Sequence, residues 1–265
     1  MDLGLANARV LVTGGGSNIG RGIVHGFAAE GARVVIADVD AGQAAKVRAE
    51  ALERGAAAAE LAIADLTADG AGERAVAALL DRWGGIDVLV NNAGWSVPGF
   101  IAEDTDRAKW QRTVEVNFYT AVACTQAAIP PMREAGTGAV VFIASDAAFG
   151  QIRQGIYGAT KAALIALART TAREHGRHGI RSNVICPGLV IPDSPGAVGT
   201  ASLWAAGQDA VFNEKQIDYL KKDTPLRRLT DAADIANAVT WISSPRAARQ
   251  VTGQVISVSG GYTMP

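Results

Sequence analysis

The sequence predicts a doubly wound α/β fold, a parallel sheet with helices on both faces, and three observations carry that prediction. Short β-branched runs alternate with longer alanine-rich stretches of helical period. The strand candidates read as apolar throughout, as strands buried on both faces do. Strand and helix alternating in this way imply right-handed βαβ units. The strand candidates are Arg9 to Val12, Arg33 to Ala37, Ala59 to Ala64, Asp87 to Val90, Ala139 to Ala144, Arg181 to Cys186 and Gln254 to Val258. Between them lie helix candidates Ile19 to Glu30, Ala41 to Arg54, Gly70 to Trp83, a long and breakable Asp104 to Glu134, Tyr157 to His175 and Ala232 to Ile242. Such sheets bind ligands at the carboxyl ends of their strands, which is where function is sought.

With 265 residues, 49% of them hydrophobic, a single α/β domain over residues 1–265 is expected, since such folds reach about 250 residues as one unit. No polar or Pro-rich linker divides the chain. A net charge of -1 argues against the basic surface that nucleic acid requires. Cys124 and Cys186 each sit in an apolar run and cannot build a disulfide framework. The start shows no charged-then-apolar leader pattern and no apolar run reaches about 18 residues, so neither export nor membrane insertion is expected and a cytoplasmic location is. Residues 193–224 break the regularity. After Pro192 and Asp193 they carry Trp204, Phe212, Ile217, Tyr219 and Leu220 among polar residues, the pattern of a substrate lid or of a packed surface insertion.

Thr13, Gly14, Gly15, Gly16, Ser17, Asn18, Ile19 and Gly20 follow the first strand and open a helix. A glycine-rich strand-to-helix turn lets backbone amides and a helix N-terminus approach a pyrophosphate. The second strand ends on Asp38, 18 positions beyond Gly20. A carboxylate there accepts hydrogen bonds from ribose hydroxyls and repels a 2′-phosphate, and the turn offers no cation, so NAD rather than NADP is expected. Asp38 could instead serve its own turn together with Asp40. Further on, Tyr157 and Lys161 stand four residues apart, one helical turn, on the same face. A free phenol titrates near 10, and a neighbouring ammonium favours its ionised form, moving it toward a working pH.

These motifs resemble those of the short-chain dehydrogenase/reductase family, and the resemblance runs over essentially the whole chain. It implies a Rossmann-type sheet of about seven strands in the order 3-2-1-4-5-6-7. Asn18 stands where the family has a glycine; Asn tolerates positive φ and could add a side-chain donor for a phosphate. The resemblance makes Asp65 and Leu66 an adenine-contacting pair, and Asn91, Asn92, Ala93 and Gly94 the motif that steadies the sheet beside the cofactor. It makes Tyr157 the general acid/base, Lys161 the residue that binds nicotinamide ribose and lowers the tyrosine pKa, and Ser145 the hydroxyl that orients the substrate oxygen. Asn117 would fix a helix distortion and hold a water. Pro187 and Gly188 match a turn after which Val190 would hold the nicotinamide carboxamide, although the family's threonine is replaced around Ile191 and Pro192. The spacing from Ser145 to Tyr157 is 12, one shorter than usual, which should trim the loop from Asp146 to Ile156.

Trp95, Phe149, Ile152, Trp204 and Phe212 are candidates for an apolar substrate pocket, or for plain packing; Arg153 could meet an anionic substrate, or sit on the surface. His175 and His178 suit a helix C-terminus and suggest no metal site. The expected activity is NAD-dependent interconversion of a small-molecule secondary alcohol and its ketone in the oxidative direction. Short segments around Trp95, Asp146 and Arg173 and at the C-terminus resemble the 2-hydroxycyclohexanecarboxyl-CoA dehydrogenase subgroup, which implies a cyclic or hydroxyacyl substrate. Two alternatives remain: a 3-oxoacyl thioester reductase, which would use NADPH against Asp38, and a non-catalytic NAD-sensing protein, against which the complete Ser145, Tyr157 and Lys161 set speaks. The family also implies a homotetramer or homodimer.

Overall fold

A computed structural model describes residues 1–200, 202–205 and 211–265. Seven parallel strands form one sheet in the order β3-β2-β1-β4-β5-β6-β7. They are β1 Arg9–Thr13, β2 Arg33–Asp38, β3 Ala58–Ile63, β4 Val88–Asn91, β5 Gly138–Ile143, β6 Ile180–Pro187 and β7 Val255–Val258. Each lies within two residues of its sequence expectation. The strands are not uniformly buried, however. β4 and β5 are covered on both faces, whereas the edge strands β3 and β7 are only partly covered, with Ile63 45% exposed, because an edge has a neighbour on one side only.

Successive strand residues point to opposite faces, so one set of strands feeds two cores. Val10, Val12, Val34, Ile36, Val88 and Val90 pack against helices α1 (Asn18–Ala29), α2 (Ala41–Glu53) and α8 (Ala232–Ser243). Their neighbours Leu11, Val35, Leu89, Val140 and Phe142 pack against α3 (Ala71–Trp83), α5 (Thr120–Ala135) and α6 (Gly155–His175). The long helix expected from Asp104 to Glu134 is broken: α4 (Arg107–Val114) passes into a π turn, Glu115–Tyr119, before α5 begins. Within residues 193–224 the chain forms a short 3₁₀ turn, Pro195–Ala197, and a helix, α7 (Glu214–Asp223), started by a capping box between Asn213 and Gln216. Residues 201 and 206–210 of that stretch lie outside the described residues. Among the described residues no helix is long and apolar enough to cross a membrane.

Candidate active site

The carboxyl ends of β1, β2 and β4 meet at the glycine turn. Gly14 takes φ +62° and its N–H donates to the Ala37 carbonyl at 2.7 Å, so β1 leaves the sheet in a left-handed step. Gly20 lies so close below it that a Cβ there would sit 1.9 Å from the Gly14 oxygen. The Asn92 amide closes the other side, donating to the carbonyls of Thr13 at 2.9 Å and Gly14 at 3.0 Å, while the Thr13 hydroxyl accepts from the N–H groups of Asn92 and Ala93. The result is a rigid concave turn ahead of the N-terminus of α1, where N–H groups and the helix dipole favour a phosphate.

Asn18 does take positive φ, +39°, as its residue type suggested. Its side chain departs from expectation: the amide donates to the Val190 carbonyl at 3.2 Å, so that donor ties the phosphate turn to the segment after β6 instead of reaching for a phosphate. Asp38 serves its own turn with Asp40, one of its two sequence readings. One oxygen accepts from Gly16 N–H at 2.8 Å and the other from Asp40 N–H at 3.0 Å, while the residue lines a cavity at the carboxyl ends of the strands. A carboxylate has enough lone pairs for a ligand hydroxyl as well. Asp65 is held below the usual carboxylate range, chiefly by the Thr67 hydroxyl, which donates to it at 2.7 Å.

That cavity, about 500 Å³, is lined by Gly14, Ser17, Asn18, Ile19 and Gly20 of the turn, by Asp38, Asp65 and Leu66, by Ala93, Gly94 and Trp95, and by Tyr157 and Lys161. Four residues assigned to the cofactor do not line it. Asn91 is the last residue of β4 and points to the opposite face, where its amide donates to Thr125 on α5 at 3.0 Å. Pro187, Gly188 and Val190 stand aside, with Gly188 N–H donating to Val258 and the Val190 carbonyl taken by Asn18. Asn92, named in the sequence as part of the motif beside the cofactor, lines the cavity, and so does Arg112, which was not singled out from the sequence. The period-2 alternation of β4 could have separated Asn92 from Asn91. Arg112 of α4, which reaches Thr67 at 3.2 Å and Asp65 at 3.6 Å, had no local signal.

Tyr157 lies in the first turn of α6 and Lys161 one turn later, with the ammonium 5.6 Å from the centre of the phenol ring. Lys161 is 3% exposed and donates to the Ile143 carbonyl at 2.9 Å. Asn117 occupies the π turn; its amide nitrogen donates to the Trp95 carbonyl at 2.8 Å and to Thr160, and its oxygen accepts from Trp95 N–H. Ser145 caps the 3₁₀ turn Asp146–Phe149, accepting from Ala147 N–H at 3.1 Å and donating to Asp146 at 3.0 Å. One expectation is reversed. Desolvation pushes the Tyr157 phenol up to about 12, against a lowering by the Ser145 hydroxyl and with a further raising by the Asp146 carboxylate. Lys161 does not bring the phenol toward neutrality; its own pKa is lowered by burial to about 8.

Of the substrate-pocket candidates, Trp95 and Trp204 line this cavity. Phe212 lies behind Trp204, ring centres 6.1 Å apart. Phe149 and Ile152 are 43% and 83% exposed and do not line it. Arg153 stacks over Phe100 at 5.5 Å in a left-handed conformation, φ +66°, beside a small separate cavity that Tyr157 also borders. The shortened loop thus turns back at Arg153, and Gly99 N–H donates to the Arg153 carbonyl at 2.8 Å. Among the described residues no group of three or more His, Cys, Asp or Glu side chains is arranged to hold a metal.

A phosphate cradle on a parallel sheet, with a tyrosine and a lysine at the far end of the same cleft and a serine beside the tyrosine, defines a dinucleotide-dependent oxidoreductase of alcohols and ketones. The comparisons agree. A family model described as enoyl-(acyl carrier protein) reductase matches residues 14–263. The chain is 34% identical to a subunit of (2S)-[(R)-hydroxy(phenyl)methyl]succinyl-CoA dehydrogenase of Thauera aromatica, over 99% of each chain. It is also 34% identical to the cis-4-hydroxycyclohexanecarboxylate dehydrogenase of Sinomonas cyclohexanicum, over 96% of this chain and 95% of that one. Among solved structures, a 7α-hydroxysteroid dehydrogenase complexed with NADH and 7-oxo glycochenodeoxycholic acid superposes with a TM-score of 0.87 at 32% identity, covering 98% of this chain and 96% of that one. The chain belongs to the short-chain dehydrogenase/reductase family, whose members use NAD(P).

Proposed function

We propose that this chain is an NAD-dependent dehydrogenase that oxidises a secondary alcohol to a ketone on a cyclic or hydroxyacyl substrate. The observation that carries the cofactor choice is Asp38, whose carboxylate is clamped by Gly16 and Asp40 at the cavity wall. The turn beside it, Gly15, Gly16 and Ser17, offers no cation to a 2′-phosphate, and the cations lining the cavity among the described residues are Arg112, drawn toward Asp65, and Lys161 by Tyr157. The cradle also fits a dinucleotide sterically, since a Cβ at Gly16 would stand 2.9 Å from Asp38 and one at Gly14 3.0 Å from Ala93.

Bound NAD supplies the hydride acceptor and a positive charge that favours the Tyr157 phenolate. Tyr157 takes the proton of the substrate hydroxyl as the C–H bond on the same carbon breaks, and Ser145 holds the oxygen. Lys161, titrating at about 8, sits near the working pH that proton relay requires. The described part of residues 193–224 serves as the substrate lid: Leu203 and Trp204 face the cavity, and Lys46 holds Gly196 through its carbonyl at 2.6 Å. The apolar residues Val97, Phe100, Ile101, Phe149 and Ile152 are each at least 43% exposed, an apolar surface that suits a substrate with an apolar ring or acyl body. The names of the Thauera and Sinomonas relatives support the same class.

The test is a panel of cyclic alcohols, acyclic alcohols and hydroxyacyl thioesters, followed by NADH absorbance and repeated with NADP. NAD-dependent turnover of at least one cyclic or hydroxyacyl alcohol is expected. Preference for NADP, or turnover of acyclic alcohols alone, overturns the reading.

A further inference from the structure

We propose that Asp146 is a positioning residue that decides whether Ser145 gives its hydroxyl proton to the substrate oxygen or withholds it, so that the grip on a ketone depends on the protonation of this carboxyl. The proposal rests on Ser145 being the residue that holds the substrate oxygen.

The argument is a count of hydrogen-bonding positions. A serine hydroxyl has one proton and two lone pairs. One lone pair of Ser145 is always occupied, because the 3₁₀ turn it caps directs Ala147 N–H at it from 3.1 Å. The proton points to Asp146 Oδ1, 3.0 Å away. An ionised carboxylate can only accept, so with Asp146 charged the Ser145 proton is drawn to it and away from its other acceptors, the Tyr157 oxygen and the substrate oxygen, and a single lone pair is left for the substrate. A ketone oxygen also only accepts, and Ser145 then has nothing to offer it. With Asp146 protonated, the carboxyl O–H can donate into that second lone pair. The serine proton is released toward the ketone oxygen, and two O–H bonds in series strengthen each other.

The surroundings fit a carboxyl that changes state. Burial is the main influence on Asp146 and raises its pKa above the ordinary carboxylate value, against the opposing hydrogen bonds from Ser145 and Ala147. The titratable groups that face it are Tyr157 from α6, Cys186 from β6 and Tyr262 from the tail after β7. Lys161 acts on Cys186, and Asp223 of α7 acts on Tyr262. Among the described residues no Lys or Arg influences Asp146 directly. Tyr157, Cys186 and Lys161 titrate in the same site, and replacing Asp146 alone separates its limb from theirs.

The experiment is the pH profile of kcat/KM for ketone reduction by NADH, with 4-oxocyclohexanecarboxylate as probe. Wild-type protein should gain about tenfold or more as pH falls through a single acidic limb, the scale of one donor to a reacting oxygen. In Asp146→Asn, which keeps the shape and can donate to Ser145 as the neutral acid does, that limb should vanish and the acid-side rate should persist to neutral pH. A flat wild-type profile, or the same limb in Asp146→Asn, overturns the proposal. A double-mutant cycle supplies a readout that a merely structural role would not give: in a Ser145→Ala background, Asp146→Ala should change neither the rate nor its pH dependence, and a further loss there overturns action through the serine. Ser145→Ala that reduces ketone as fast as wild type overturns the serine's role itself, a result distinct from failure of the Asp146 link alone.

Discussion

The two ends of the cleft are built by different means. At the adenosine end the wall is backbone: the left-handed Gly14, the contact between Gly20 and Gly14, the Asn92 amide on two carbonyls and the Asp38 carboxylate on two N–H groups, each rooted in a buried strand. Beyond Tyr157, outside the cavity lining, the neighbouring surface is side chains on loops. Phe100, Phe149 and Ile152 are exposed, Arg153 is left-handed, and the contacts between Gly99 and Arg153 and between Ser96 and Gln154 are loop to loop. A site shared by a whole family rests on groups that cannot move without disturbing the sheet. The part that distinguishes one substrate from another rests on groups whose change leaves the sheet alone.

That contrast can be broken or sharpened by substitution. The largest effect is expected where the two ends meet. Tyr157→Phe should lower kcat/KM by about 10³-fold while NADH binding, followed by fluorescence titration, stays within a few-fold of wild type. Substantial residual turnover would move the acid/base role elsewhere.

Lys161 tests the price of burying a cation at the same junction. Its folded pKa is lowered to about 8, whereas an unfolded lysine titrates near 10.4, so between those values the unfolded chain binds more protons and stability should rise with pH. Urea unfolding of the cofactor-free protein at pH 7 should therefore show Lys161→Met as more stable by about 2–3 kcal/mol, the gap closing as pH approaches 10.4. A gap independent of pH would mean that the lysine is not the cause.

At the adenosine end, Asp38→Ala should lower kcat/KM for NAD by about 10-fold or more, the scale of a charge-assisted hydrogen bond, and narrow the preference over NADP. An unchanged NAD/NADP ratio would reduce Asp38 to a turn residue. The smallest effect on the fold is expected at the rim. Phe149→Ala and Ile152→Ala should leave stability within about 0.5 kcal/mol in thermal unfolding, while raising KM for an apolar substrate a few-fold. A loss of stability comparable to a core substitution would erase the distinction between the two ends.

How much of this was legible in the sequence follows from the range of each interaction. The strands, the phosphate turn and the one-turn spacing of Tyr157 and Lys161 are local patterns, readable because strand and helix repeat every 2 and 3.6 residues. The positive φ of Asn18 was legible for the same reason: it is a property of one residue in one turn. The partner of its side chain was not, because Val190 lies 172 residues away. The π turn at Asn117 was legible only through the family resemblance, which put a helix distortion there; helical period alone suggested a break without saying where α4 would give way.

By itself, then, the sequence determined the sheet, its helical cover and the cradle, all of which depend on neighbours along the chain, and its family resemblance singled out the groups expected at the reacting end. Only the tertiary structure decided that Asn91 turns away while Asn92 lines the cavity, that Arg112 joins Asp65, and that Ile152 and Arg153 stay outside. It also decided the acidity of the site. Tyr157 is pushed to about 12 and Lys161 lowered to about 8 because desolvation is summed over every group packed around them, and those groups come from strands and helices far apart in the chain.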